Sequence, residues 1–236
     1  MTDMRKNISL LLEEAKSQFS GYTALYAYRL MNLCVKADPV SLLSIEINEN
    51  GRIINIETVA NVSRPDDYHF EIYPKTEGAL KEISKGIVGS HPEFKQEIKN
   101  QNEEDDEENQ FLYITIPDTD DDRYKALKDG VEILSDECKA NLDFTFSKYS
   151  AKIIEKLEGG KKEEIDEANE QLKELKEQIE KISKDYKEAK LKEIEESHDA
   201  FLEKKEAEKD REEKEEKAHN KNAGMSMKLF GEDDDE

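Results

Sequence analysis

The chain has 236 residues, with 58 Asp and Glu against 36 Lys and Arg, for a formal charge of −22. Charged residues make up 40% and hydrophobic residues 35%, a balance too polar for one compact core throughout, so part of the chain is solvated helix or tail. This acidity excludes free-standing DNA binding and an anionic membrane surface, both of which need a surplus of Lys and Arg. No apolar run approaches the roughly 20 residues of a membrane helix, and the first residues carry no signal-type apolar region. Cys34 and Cys138 are the only cysteines, too few for a disulfide framework or a thiolate zinc site. The expectation is a reduced, cytoplasmic chain.

The first predicted element is a helix from Thr2 to about Val35. Ile8, Leu12, Ala15, Phe19, Tyr22, Tyr26, Leu30 and Leu33 recur mostly at four- and three-residue steps, which lays one apolar stripe along a helix. Ala37-Asp38-Pro39 ends it, since proline removes an amide and pushes the preceding residue out of helical geometry. The period then changes. Leu43-Ile45-Ile47, Ile54-Ile56 and Phe70-Ile72 alternate with polar residues, and Phe111 to Ile116 is strand-like in residue type. Between them Ala79, Leu80, Ile83, Ile87 and Val88 predict a short amphipathic helix, and His91-Pro92 is read as opening another that carries Phe94 and Ile98. Glu103 to Glu108 is wholly acidic and is read as a solvated loop, without the glycine-punctuated spacing of a calcium site.

A second long helix opens at Pro117, with Asp118, Asp120, Asp121 and Asp122 where the positive end of a helix dipole favours them. Its stripe is Leu127, Val131, Leu134, Cys138, Leu142, Phe146, Tyr149, Ile153 and Leu157, ending at Gly159-Gly160. Phe146 fits this stripe, which leaves Phe144 to the edge of the core. The third helix has the most regular period: Ile165, Ala168, Leu172, Leu175, Ile179, Ile182, Tyr186 and Ala189. Beyond it the phase slips through Leu191, Ile194, Phe201 and Leu202. Residues 203–217 are almost wholly charged and predict a helical overhang. The tail then offers Met225, Met227, Leu229 and Phe230 as candidates for docking in a partner's groove, before an acidic terminus.

Three single-striped helices hide their stripes by packing together, and the short Gly-Gly turn makes the last two antiparallel. The predicted fold is therefore α+β. Residues 1–37 and 118–202 form an antiparallel three-helix bundle, 38–117 an inserted small α/β domain, and 203–236 a charged extension and tail. Both crossings carry a proline, so Ala37, Asp38, Pro39 and Pro117 are the candidate hinge.

At this point the residues resemble a family, ribosome recycling factor. Ala37-Asp38-Pro39-Val40-Ser41-Leu42-Leu43 is similar to its Ala-Ser-Pro-x-Leu-Leu segment, and Ile56 to Ser63 to its Leu-x-Gln-Leu-Ala-Ser-Val strand. Phe70 to Lys75 followed by Leu80-Lys81-Glu82-Ile83 resembles its strand, turn and helix, and Tyr113 to Pro117 its approach to the second helix. The order of these pieces covers the chain from residue 1 to about 202. The resemblance implies a two-domain, L-shaped molecule with a transfer-RNA-like outline. It also implies a non-enzymatic monomer that binds the large ribosomal subunit and acts with elongation factor G.

The family's Arg-Thr-Gly-Arg run falls here on Leu33-Cys34-Val35-Lys36, and its Arg-Asn-x-Arg-Arg-Asp run on Asp143 to Lys148. The resemblance thus makes Lys36, Lys139, Asp143, Phe146, Ser147, Lys148 and Lys152 the ribosome-facing candidates. Lysine replaces the forked donor of arginine with a point charge, and Asp143 adds repulsion to any phosphate. A second reading stays open beside the first: an acidic adaptor or chaperone-like protein that holds a basic protein through the same fold and its tail. His69, His91, His198 and His219 are scattered and read as ordinary surface. Cys34 and Cys138 fall on or near the stripes as small apolar side chains. No phosphate-binding, dinucleotide, zinc-protease or nucleophile-elbow motif is present, so neither cofactor, metal nor catalytic residue is expected.

Overall fold

The computed structural model describes residues 2–49, 51–76, 78–101, 110–157 and 162–229. Three long helices dominate it: α1, Thr2–Met31; α4, Asp121–Lys156; and α5, Lys162–Leu229. Cross-helix pairs fix their directions. Glu14 faces Lys152, Gln18 faces Lys148 and Arg29 pairs with Glu137, so α1 and α4 are antiparallel. Asn169 meets Ser150, Lys176 meets Asp143, Ser183 meets Cys138 and Lys187 meets Glu132, so α4 and α5 are antiparallel as well.

Every apolar residue predicted for the α4 stripe is buried or half-buried, as is every one predicted for α1. Leu11 and Thr145 join the core unpredicted; the Thr145 hydroxyl satisfies itself on the Asn141 carbonyl at 2.8 Å. Phe144 does not reach the core at all, being 63% exposed.

The third stripe holds only in its first half. Ala168 and Leu172 are buried and Ile165, Leu175 and Ile179 half-buried, but Ile182, Tyr186 and Ala189 lie exposed. A strict three-four repeat rotates about 20° per heptad against a straight helix, and only supercoiling holds it on one line. Here the buried line passes instead to Ser183, the aliphatic stems of Lys187 and Lys190, then Ile194 and Ser197. The helix continues unbroken to Leu229 and so includes the backbone of Met225 and Met227. Phe230, the acidic run Glu103 to Glu108 and the Gly159-Gly160 turn lie outside the described residues.

The insertion begins with a 3-10 turn, Pro39–Ser44, and a hairpin of β1, Glu46–Glu49, and β2, Arg52–Asn55. Gly51, at φ +81°, takes the left-handed position that this hairpin's turn requires. One helical turn, α2, Ile56–Val59, is capped by the Asn55 side chain and leads into β3, Ala60–Asp66. With β4, His69–Pro74; β5, Lys95–Asn100; and β6, Gln110–Thr115, β3 makes an antiparallel four-stranded sheet in the order β3-β4-β6-β5. The helix α3, Ala79–Ser90, buries Ala79, Ile83 and Ile87 against a core that includes Phe70, Ile72, Leu112 and Ile114.

Two predicted elements are corrected. The segment after His91-Pro92 is strand β5, not a helix, because Gln96 and Ile98 pair along β6 opposite Ile114 and Leu112. Periodicity missed it because β5 is an edge strand whose Ile98 is 58% exposed, so it has no clean inward face. Ile56 opens the turn of α2 rather than extending a strand, since the Asn55 carboxamide accepts from the Glu57 amide at 3.0 Å.

Gly86 marks a close approach of α3 to the hairpin. A Cβ there would lie 2.7 Å from Ile47 Cδ1 and 2.9 Å from the Glu46 carbonyl oxygen. Gly86→Ala should therefore destabilise by about 1–3 kcal/mol despite alanine's better helix propensity, read as a lower urea midpoint. Gly89→Ala, with nothing within 4 Å of the added atom, should be neutral or stabilising.

Candidate functional site

The junction between bundle and insertion is built from consecutive residues that bury in different places. Cys34 and Ala37 belong to the insertion's core, while Val35 belongs to the core of the bundle. The Ala37 amide donates to the Asp67 carbonyl at 2.7 Å, and the Ile116 amide to that of Tyr68 at 2.9 Å. Both crossings are thereby tied to the β3–β4 turn. The Asp38 side chain caps the 3-10 turn on the Val40 amide at 3.0 Å, with Pro39 in its first turn. These residues, with half-buried Pro117, occupy the predicted hinge positions.

Arg123, in the first turn of α4, was not foreseen as part of this site. Its guanidinium donates to the Pro117 carbonyl and to the Cys34 carbonyl, so one side chain holds both crossings. Burial lowers its pKa, opposed chiefly by the Glu93 carboxylate. Burial alone would raise the Glu93 carboxyl, but the hydrogen bond from His91 and the nearby charges hold it below the usual range. The sequence signal was slight: Arg123 is the only arginine between Arg64 and Arg211. A rigid fork serves where two carbonyls must be met at once.

Two histidines read as surface prove otherwise. His91 is 3% exposed and stacked on Phe94 at 4.5 Å, with Nδ1 3.2 Å from Glu93 Oε1. His198 of α5 donates through Nδ1 to the Thr119 carbonyl at 2.8 Å and stacks on Tyr124 at 4.3 Å. Beside it the Thr119 and Ser197 hydroxyls are hydrogen-bonded at 2.8 Å in buried surroundings, and Lys204 pairs with Asp118 at 3.0 Å. The second crossing is therefore anchored to α5 by side chains 78–86 residues away in sequence.

The ribosome-facing candidates separate onto different surfaces. Lys148 reaches Gln18 at 3.0 Å and Lys152 lies 3.9 Å from Glu14, both on the flank of α4 that faces α1. Asp143 pairs with Lys176 at 2.5 Å on the opposite flank, toward α5. There the Lys176 ammonium also lies 5.6 Å from the Phe146 ring, and Ser147 closes onto the Asp143 carbonyl at 3.0 Å. Lys139 lines a cleft of about 590 Å³ between α4 and α5, with Glu132, Cys138, Lys187 and Glu188. Lys36 sits at the first crossing, half-buried. The two cysteines are free and buried in separate cores. Among the described residues no group of three His, Cys, Asp or Glu is placed to hold a metal ion. No described helix is long and apolar enough to cross a membrane.

A three-helix bundle interrupted after its first helix by an α/β insertion is a specific topology, a two-domain α+β class. No family model matches the chain. Two curated relatives do, the chloroplastic ribosome-recycling factors of Oryza sativa subsp. indica and subsp. japonica, each 28% identical over 127 residues. That stretch is 54% of this chain and 44% of the relatives, so the chain spans less than half their length. A solution structure of ribosome recycling factor aligns with TM-score 0.63 at 19% identity, covering 80% of this chain and 97% of that one. A model of the T. thermophilus factor, with E. coli elongation factor G on the E. coli post-termination complex, aligns at 0.53 and 20% identity, covering 79% and 98%. The chain therefore has the two-domain fold of solved ribosome recycling factor, and over about half its length it is weakly similar in sequence to the chloroplastic factors.

Proposed function

We propose that this protein is a non-enzymatic translation factor that binds the ribosome through its bundle and moves its inserted domain about the hinge. The observation that carries the reading is the interrupted topology, which aligns along nearly the whole of a solved recycling factor. The neighbour seen with elongation factor G on the post-termination complex supports the ribosome and that factor as partners here; the large subunit as the surface gripped is our own proposal. In this reading residues 1–37 and 118–202 are the gripping domain, 38–117 is the lever, and the protein works as a monomer where ribosomes are. The test is sedimentation with ribosomes. The protein should travel with large subunits at low salt and be lost as salt rises. Absence from every ribosomal fraction at low salt would end the proposal. Substitution for an authentic factor in depleted cells then separates retained recycling from a changed role.

Asp143 gives a sharper handle. By the resemblance it falls at a family arginine, and it is half-exposed in its pair with Lys176. Asp143→Arg should tighten ribosome association severalfold and steepen its salt dependence by about one phosphate contact. Lys176 is largely buried but keeps Glu180 at 3.0 Å as its other partner, so the stability loss should stay at about 1 kcal/mol. Unchanged sedimentation would mean that this flank does not face RNA.

The net charge of −22 favours a second reading, an acidic adaptor that holds a basic protein through the same fold and its tail. A pull-down after nuclease treatment should then return one defined protein, and truncation after Leu202 should abolish its capture.

A further inference from the structure

The four-stranded sheet buries one face, through Phe70, Ile72, Leu112 and Ile114. Its other face carries rings. Tyr113 stacks on His69 with centroids 4.9 Å apart, and Tyr73 stacks on Phe111 at 5.0 Å. The register sets Tyr113 directly opposite Glu71 on β4 and Glu97 on β5, so a π face lies between two carboxylates. Tyr73 donates its hydroxyl to Glu71 at 2.8 Å, which fixes one of them. A cation already sits there: the Lys99 ammonium is 3.2 Å from the Tyr113 ring centroid and 3.9 Å from Glu97.

We propose that this face docks a basic protein segment, with one of its Arg or Lys side chains seated over Tyr113 between Glu71 and Glu97. A ring face attracts a cation through its quadrupole, and flanking carboxylates add direct charge attraction. Lys99 lies on β5, an outer strand of the sheet, so its flexible stem can swing away and yield the ring. Unpaired RNA bases stack on such rings too, but their phosphates would meet Glu71, Glu97 and Asp66. The carboxylates of this face, within a chain carrying −22, steer basic partners toward it and disfavour phosphates here. The surface is separate from the bundle positions that carry the ribosome proposal, and it stands or falls independently of them.

The test uses the full chain and a fluorescent arginine-rich peptide at low salt, with a single-stranded oligoribonucleotide in parallel. Tyr113→Leu should weaken the peptide about tenfold. Lys99→Ala should tighten it severalfold, because it removes the internal competitor while adding only one unit to the net charge. The Glu71→Gln/Glu97→Gln pair keeps every ring and should weaken the peptide comparably, which guards against misfolding of the tyrosine variant. Aromatic proton resonances of Tyr113 and His69 should shift on titration. Peptide affinity unchanged by both the tyrosine and the double carboxylate variants would overturn the proposal. So would shifts at these rings caused by the oligoribonucleotide and not by the peptide.

Discussion

Replacing Arg123 with glutamine should destabilise the protein by about 2–4 kcal/mol and loosen both interdomain crossings together. The guanidinium donates to the carbonyls of Pro117 and Cys34, which lie on different crossings, and faces the Glu93 carboxylate. Glutamine keeps an amide donor but neither the charge nor the span, so at least one part-buried carbonyl goes unpaired and Glu93 loses its compensation. Urea unfolding gives the size of the loss. Hydrogen exchange gives its location, because the Ala37 and Ile116 amides, held by Asp67 and Tyr68, should lose protection beyond the global change. Arg123→Lys should fall between, restoring charge without the fork. Unaltered unfolding together with unaltered protection of those two amides would remove Arg123 from the hinge.

The same cluster carries a pH dependence. The folded Glu93 carboxyl lies below its ordinary range, so its contribution is present above the unfolded pKa. It is lost as pH falls through the lower folded value. Glu93→Gln should therefore flatten the loss of stability in acid, measured as urea midpoints across that range. A parallel acid profile in wild type and variant would place the relevant proton elsewhere.

The long helices were legible in the sequence because each needs only one apolar stripe, and the α4 stripe from Leu127 to Leu157 held at every position. The α5 seam misled because it was too regular. A repeat that looks ideal on paper needs supercoiling, and in this bundle lysine stems rather than Ile182 and Tyr186 cover the later groove. β5 was illegible because Lys95–Asn100 is an edge strand held by β6 rather than by burial of its own side chains. The junction between bundle and insertion was visible in Pro39 and Pro117, but what fastens it was not. Arg123, Thr119, Ser197 and His198 act through contacts across 78–89 residues, which no local pattern encodes. Spacing already set Lys148 and Asp143 on different flanks, since five positions along a helix rotate a side chain by about 140°, but not which neighbour each flank meets: Gln18 of α1 for one, Lys176 of α5 for the other.

Phe19→Ala and Phe70→Ala should each cost about 3–5 kcal/mol, and they should do so in different parts of the molecule. Both rings are 0% exposed, Phe19 in the bundle core and Phe70 in that of the insertion, and the two cores share no residue. Removing either ring leaves a void that close-packed neighbours fill only in part. Sites so separated should combine additively to within about 0.5 kcal/mol in the double variant. The informative quantity is which amides lose exchange protection. Phe70→Ala should expose β4 and β6 while the bundle amides around Leu142 and Ile153 keep theirs. Phe19→Ala should do the reverse, because α1 closes the bundle at both of its interfaces. Equal loss across both cores in either variant would mean that the clamp at Arg123 and the anchors at Thr119 and His198 fuse the two into one cooperative unit. A lever needs the opposite: two bodies that keep their own cores while the joint between them moves.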